Sequence, residues 1–441
     1  MAACQAWASD PLKNPLTRRK IKDTGAVYKR IKDICGVAQN RKACKTFLDI
    51  NNTRHPLTSR KLITTAKRGL YVQLREICAS RPRTPLPANH ARLVTAIKKS
   101  IRPLLHKGDD LKSRIQFARI VRKYIQDTAA VPSCLARTSA SKRSTKMVLQ
   151  DKVGKDLIVF DRSGRIGSKS KFGIAHMHAG KGFHRLVKFA SKMMAWTRTH
   201  AEEVEILDKM TSAVEKQFTP NLPITYFAET CTTPCTGRGC PAPIKGKPYF
   251  VILNELADMD LNAWFRAKHS DSEYTSVVAQ IILGIYAFHK LGYVHQDTHL
   301  GNFLVHKITP GGYWKYRIDG LDFYVGNTGY LVVLWDPGMA EETQSKVSRV
   351  KDHLRPISLI YDMKKAYANS KAFGKMIQPP DSIRDVLKAV ITDIRADMGP
   401  DEAANIQYAM ITLASKMDTD TVMVQTKAPG RILNIKPYLA S

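Results

Sequence analysis

Apolar side chains along this chain recur with two periods, and the places where the period changes outline its elements. Val277, Ile281, Ile282, Ile285 and Phe288 recur at helical spacing and lead to a turn at Gly292. Short apolar runs at Leu186–Phe189, Tyr249–Leu253, Phe303–Val305 and Tyr330–Trp335 read as strands buried on both faces. A helix is predicted to begin near His200, and two more are predicted around 382–398 and 401–416. Toward the N-terminus, Tyr28, Ile31, Ile34 and Cys35 share one helical face, and Tyr71, Leu74, Ile77 and Cys78 repeat it. Residues 90–127 read as basic amphipathic helices through Leu93, Ile97, Ile101, Ile115, Val121 and Ile125. Two functions fit such helices: lying on nucleic acid or membrane, or packing on the domain that follows. Three prolines between Ser80 and Pro87 break structure ahead of them, and 133–146 reads as a flexible basic linker. No apolar run reaches the roughly 18 residues of a membrane helix, and the first 20 residues lack a secretory apolar core. These patterns predict an intracellular chain.

Charge changes this picture in one respect. The net charge of +32 is concentrated in residues 1–150, which hold 33 Lys and Arg against 8 Asp and Glu, while the remainder holds 37 against 30. Such asymmetry suits an N-terminal region that meets an acidic partner: nucleic acid, an anionic surface or an acidic protein. An apolar fraction of 44% over 441 residues leaves room for a large core.

The N-terminus contains a repeat. Cys4 to Cys35 and Cys44 to Cys78 each place an aromatic near the first cysteine (Trp7, Phe47). Each continues with Pro-Leu-Thr and a basic run (Pro15–Lys20, Pro56–Lys61), and has a Tyr seven residues before the closing Cys (Tyr28, Tyr71). Units this small bury little core, so the paired cysteines matter either as a disulfide or as two small buried thiols. The pair resembles the two-cysteine adaptor domain of iridoviruses and other large DNA viruses. Arg18 stands where that family usually has Gly, and the second copy carries His55 for Asn and Ser59 for Gly. The resemblance implies attachment to other viral or host components.

The densest chemistry lies in Gly292–Val305. His295-Gln296-Asp297 is followed five residues on by Asn302, between the predicted helix and a strand. This resembles the catalytic loop of protein kinases, in which the Asp orients the attacking hydroxyl and the Asn holds metal. Gln296 replaces the usual Arg, and His299 stands where Lys is common, as in aminoglycoside- and choline-kinase-like phosphotransferases. The run Tyr330–Trp335 ends at Asp336-Pro337-Gly338, which is similar to the metal-binding Asp-Phe-Gly motif. The resemblance therefore implies Asp297 and His299 at the chemistry, and Asn302 and Asp336 on Mg²⁺.

Upstream parts follow in the family's order. Ile166–Gly173 resembles a phosphate-covering loop that lacks its middle glycine, with Gly167, Ser168, Lys169, Ser170 and Gly173 as nucleotide contacts. Lys188 is the expected phosphate-binding lysine, with Lys192 the alternative, and Glu203 is its expected helix partner, with Glu202 the runner-up. Asn254-Glu255-Leu256-Ala257 resembles the adenine-holding hinge, with Asn254 as gatekeeper and backbone groups of Glu255 and Ala257 on the base. Asp362 is either the acid bracing the catalytic loop or an ordinary helix-start acid. Cys231, Cys235 and Cys240 form either a zinc site or a hairpin tip. Glycines at 311–312 and 326–329 suggest an elongated hairpin before Asp336.

The reading that unites these features is an α+β chain: a two-lobed protein-kinase-like fold preceded by two small helical adaptor repeats. Its segments are 1–38 and 39–80 (the repeats), 81–148 (a basic helical linker) and 149–441 (the catalytic domain). The match to iridovirus serine/threonine protein kinases implies ATP and Mg²⁺ as cofactors and a protein substrate. It also implies a viral or host structural protein on the adaptor repeats, with nucleic acid on the basic N-terminus as the other partner, in host cytoplasm and virion. Two alternatives stand beside it: a small-molecule phosphotransferase, and a pseudokinase scaffold.

Overall fold

The computed structural model describes residues 111–128, 136–138, 146–150, 156–160, 173–179, 188–232, 234, 244–342, 345–367, 376–396, 402–417, 420–425, 427–434 and 436–440. Both cysteine-bounded repeats, the linker up to residue 110 and the glycine-containing loop at 166–172 lie outside these. The chain divides into two compact units, one of Met1–His90, Thr128–Ala136 and Val148–Leu157, the other of Ala91–Asp127, Arg137–Met147 and Ile158–Ser441. The second unit mixes helix and sheet and contains the site.

A basic helix, α1 (Leu111–Thr128), and three short strands, β1 (Ala136–Thr138), β2 (Lys146–Gln150) and β3 (Asp156–Phe160), come first. An antiparallel sheet follows, in the order β4 (Gly173–Ala179), β5 (Lys188–Ala195), β7 (Tyr249–Glu255), β6 (Thr225–Cys231). Every residue of β7 is buried, which explains its unbroken apolar run. Helix α2 (Arg198–Glu215) starts where the Thr197 side chain accepts the His200 amide, and buries Glu203, Ile206, Leu207, Met210 and Val214. The strand expected at 186–189 is described from Lys188 and continues to Ala195, so Lys192 lies well inside it; Leu186 and Val187 lie outside the described residues.

After β8 (Met259–Asp260) and the short α3 (Leu261–Trp264), helix α4 (Asp271–Lys290) opens with a reciprocal Ser270–Glu273 capping box. It is buried all round from Tyr274 to His289, as a helix apolar on all sides must be. Helices α5 (Lys346–Tyr361), α7 (Asp381–Ala396) and α8 (Glu402–Lys416) pack around it, with α6 (Met363–Ala366) a single turn after α5. From α4 the chain passes through β9 (Tyr293–Val294) and a 3₁₀ turn (Leu300–Asn302) into β10 (Phe303–Lys307). β10 pairs antiparallel with β13 (Tyr330–Leu334), and this pairing brings Asn302 and Asp336 to neighbouring strand ends.

The segment between β10 and β13 is the expected hairpin. β11 (Tyr313–Ile318) and β12 (Leu321–Gly326) join through Asp319-Gly320, both at positive φ (42° and 82°), the geometry of a two-residue hairpin loop. β12 pairs on its other side with β15 (Val422–Val424). The outer edge of β11 is covered by the C-terminal tail, where Tyr313 N donates to Arg431 O and Arg317 N to Tyr438 O. That tail closes an edge that would otherwise offer unpaired amides. β14 (Glu341–Glu342) pairs with β9, and α5 begins at Lys346, so the segment after Asp336 is short.

Candidate functional site

The loop carrying Asp297 is shaped from below by α5. The Asp352 carboxylate accepts the amides of His295 (2.5 Å) and Gln296 (2.8 Å), holding Gln296 at φ 62°. Few non-glycine residues adopt that conformation without such bracing. Pro356 lies inside α5, four residues beyond Asp352. Having no N–H, it leaves the Asp352 carbonyl without its helical donor. The Thr298 hydroxyl fills the vacancy at 2.8 Å. One residue thus braces the loop through both its carboxylate and its carbonyl. The brace is Asp352, not Asp362, whose side chain caps the short α6 instead.

Beneath the brace is a buried ionic cluster from three helices. His289 lies between Asp352 (3.1 Å) and Glu402 (2.5 Å), while His353 (3.1 Å) and Arg349 (3.2 Å) also meet Glu402. Burial opposes charge on His289, but hydrogen bonds to Asp352 and Glu402 outweigh it and raise its pKa. For Asp352 and Glu402 burial pulls upward, and the His289 contacts prevail, holding both below the ordinary carboxylate range. The His289, His353 and Glu402 ligand atoms lie within 4.8 Å of one another, and both imidazoles already meet the Glu402 carboxylate, while His353 Nδ1 has no partner among the described residues.

Asp297 is held from several directions. Arg355 Nη1 donates to its Oδ1 at 2.8 Å and to the Gln296 carbonyl at 3.2 Å. Asn302 Nδ2 donates to the Asp297 carbonyl (2.8 Å) and to Oδ2 (3.3 Å). His299 accepts the Gly301 amide on Nδ1 (3.0 Å), so its Nε2 carries the proton in the neutral ring, 3.5 Å from Asp297 Oδ2. A side chain at 301 would crowd that ring, since a Cβ there would lie 2.9 Å from His299 Cε1.

His295 links this loop to Asp336. Its Nε2 meets the Trp335 carbonyl at 2.8 Å and its Nδ1 receives the Asp297 amide at 3.3 Å, while Trp335 N donates to the Asn302 carbonyl at 2.7 Å. Burial lowers the His295 pKa, which keeps the ring neutral with one donor and one acceptor. Asp336 stands at φ 60° with its carboxylate beside Lys192. Lys192 Nζ lies 2.5 Å from Asp336 Oδ1 and 2.6 Å from Glu203 Oε1. Burial works against the ammonium, but Asp336 and then Glu203 reverse this and hold its pKa above the ordinary value. Burial raises the Asp336 carboxyl as well, and Lys192 overrides it, so Asp336 stays ionised. Glu203, more deeply buried, is raised by that burial despite Lys192.

Lys192, the alternative to Lys188, meets Glu203; Lys188 lies four residues earlier on β5. Glu202 instead pairs on the surface with Arg198. Gly167, Ser168, Lys169 and Ser170 lie outside the described residues, and Gly173 is the first residue of β4. At the expected hinge, the Glu255 amide donates to Ile224 O at 3.0 Å, and its buried carboxylate is gripped by Arg114 of α1. Arg114 also donates to the carbonyls of Pro220 (2.7 Å) and Leu222 (2.8 Å). Burial would raise Glu255, and Arg114 turns the shift downward. Ala257 follows, half-buried. Asn254 pairs in register with Ala190, and Ile252 with Lys192, so Asn254 shares a sheet face with Lys192. Its Oδ1 accepts from Thr225 Oγ1 at 2.8 Å, while its buried Nδ2 has no partner among the described residues. Cys231 ends β6, and Cys235 and Cys240 lie outside the described residues.

Sequence reasoning did not find Asp352, Arg355 or Arg114. Pro356 inside a helical pattern, four residues after an acid, was the available signal for the first. Chemically, the arrangement offers a carboxylate and an amide at adjacent strand ends for a divalent cation, a fixed ammonium beside them, and a second oriented carboxylate.

Comparison with known proteins places the chain beside viral kinases. Residues 3–36 match the family model of the 2-cysteine adaptor domain, which covers the first of the two repeats. The segment Cys44–Cys78 lies outside that match. The chain is 32% identical over 141 residues to a protein of frog virus 3 (isolate Goorha) named as a serine/threonine-protein kinase. That alignment takes in 31% of this chain and only 16% of the frog virus protein. It is 21% identical over 419 residues to a protein of invertebrate iridescent virus 6, also named as a serine/threonine-protein kinase, across 86% of this chain and 75% of the other. The chain thus has iridovirus serine/threonine-kinase homologues and one 2-cysteine adaptor domain at its N-terminus.

Proposed function

We propose that this chain is an ATP-dependent protein kinase with a protein-kinase-like fold, transferring phosphoryl to Ser/Thr hydroxyls of viral or host proteins. The observation that carries the reading is the meeting of Lys192 with Glu203 and Asp336, next to a loop that joins Asp297 and Asn302. Mg²⁺-ATP, when bound, supplies the transferable γ-phosphoryl group. The donor set suits it: Asp336 and Asn302 offer oxygen ligands to Mg²⁺, Lys192 offers charge to the phosphates, and the unpartnered end of Asn254 faces the same side as Lys192. Asp297 accepts the proton of the acceptor hydroxyl as that oxygen bonds to the γ-phosphorus and the bond to the departing ADP oxygen breaks. Glu203 keeps Lys192 in place, and the Asp352 brace keeps Asp297 in place.

The adaptor domain and the basic N-terminus would dock the enzyme on a structural protein or nucleic acid, in host cytoplasm or virion. The second repeat would act as a second adaptor. One observation favours a different acceptor. With α5 starting at Lys346, little chain follows Asp336 to form a peptide platform, and His299 is shared with small-molecule phosphotransferases.

Purified protein given γ-radiolabelled ATP, Mg²⁺ and casein, histone or small hydroxyl compounds tests both readings. Label on protein Ser/Thr is expected. Label on small molecules alone would establish the second reading, and no label at all would contradict both.

A further inference from the structure

The residue opposite Asp297 has no counterpart in the motifs that suggested the function. Arg355 rises from α5 on the turn that follows Asp352, and α5 is fixed to the loop by Asp352 and by the Thr298 bond that Pro356 permits. Its guanidinium donates through Nη1 to Asp297 Oδ1 (2.8 Å) and to the Gln296 carbonyl (3.2 Å). The other carboxylate oxygen, Oδ2, faces Asn302 Nδ2 and His299 Nε2 at 3.3 and 3.5 Å. Lys192, by contrast, is committed to Glu203 and Asp336.

We propose that Arg355 is a positioning residue for phosphoryl transfer: it clamps Oδ1 of Asp297 and turns Oδ2 toward the acceptor hydroxyl. This inference rests on the kinase reading above. With Arg355 on Oδ1 and Asn302 and His299 beside Oδ2, the carboxylate plane is set from both sides, and a base misplaced by about 1 Å can lose on the order of 100-fold in rate. The side chain is 44% exposed, so the contact adds little to stability and its removal should not unfold the helix.

The test compares full-length wild type, Arg355→Ala and Arg355→Lys with γ-radiolabelled ATP and casein or histone, and measures melting with and without Mg²⁺-ATP. For Arg355→Ala, kcat should fall roughly 30- to 100-fold with the KM for ATP within about threefold of wild type. Melting and its Mg²⁺-ATP shift should be unchanged, Arg355→Lys should recover part of the rate, and added methylguanidine should raise the alanine variant's rate several-fold. A kcat within twofold of wild type would overturn the proposal while leaving the kinase reading intact. So would a raised acceptor KM at unchanged kcat, which would make Arg355 a substrate contact. A wild-type chain that labels nothing would remove the kinase reading, and Arg355's role with it.

Discussion

A single ammonium, that of Lys192, stands between two carboxylates from distant parts of the chain, Glu203 of α2 and Asp336 beyond β13. Burial disfavours the charged form of all three; Lys192 and Asp336 hold each other ionised against it, whereas burial prevails at Glu203 and raises its carboxyl despite Lys192. Replacing Lys192 with Met would leave two carboxylates facing each other. The expected cost is on the order of 3 kcal/mol of stability, since removing one partner strands buried charge. Transfer activity should fall below detection, while Lys188→Met should retain both stability and activity. Melting curves and radiolabel assays of the two variants check this, and a Lys192→Met chain with wild-type turnover would dissolve the assignment. Local pattern could not choose between these lysines. They lie only four residues apart in sequence, and it is the pairing of β5 with β7 that puts Lys192 opposite Ile252, with its ammonium at Glu203 of α2. Asp297, Asn302 and Asp336 were legible because each sits at an element end where period changes and a polar residue interrupts an apolar run.

At the scale of elements, α4 and β7 were readable from periodicity because they are buried almost throughout, and β13 and the start of β10 because their apolar runs are buried at Leu331–Leu334 and at Phe303 and Val305. What joins elements far apart in sequence was not readable. The C-terminal tail along β11 is one case, and the bracing of the Asp297 loop by α5 is another. The Asp319-Gly320 turn did carry a local signal, an Asp-Gly pair between strand-like runs. Helix α1 shows how an ambiguous pattern resolves: of its two readings, packing holds for residues 111–128. Phe117 meets Tyr226 edge-to-face, Arg122 pairs with Glu215, and Arg114 neutralises Glu255. Arg114→Met in the full chain should destabilise the unit holding β7 by about 3–5 kcal/mol, because Glu255 would stay buried without its partner. Arg114→Met, Glu255→Leu should recover much of that loss. Thermal melting distinguishes this from a surface role, for which either change would stay within about 0.5 kcal/mol.

At the scale of the whole molecule, charge and chemistry belong to different stretches of the chain. The excess of Lys and Arg lies in residues 1–150, whereas every group proposed to touch the reaction lies beyond residue 165. The adaptor domain at 3–36 accounts for only part of that basic stretch. Within the unit that holds the site, α5 braces the Asp297 loop through Asp352 and Arg355 and shares the His289–Glu402 cluster with α4 and α8. The central claim is that this machinery transfers phosphoryl with Asp297 as base. Its most direct test is the turnover and Mg²⁺-ATP affinity of Asp297→Asn beside wild type, on whichever acceptor wild type labels. Asn cannot take the proton yet keeps the shape, so turnover should fall at least about 100-fold. Nucleotide affinity should stay within about threefold, since Lys192, Asn302 and Asp336 are intact. An Asp297→Asn chain that turns over at the wild-type rate would contradict the account.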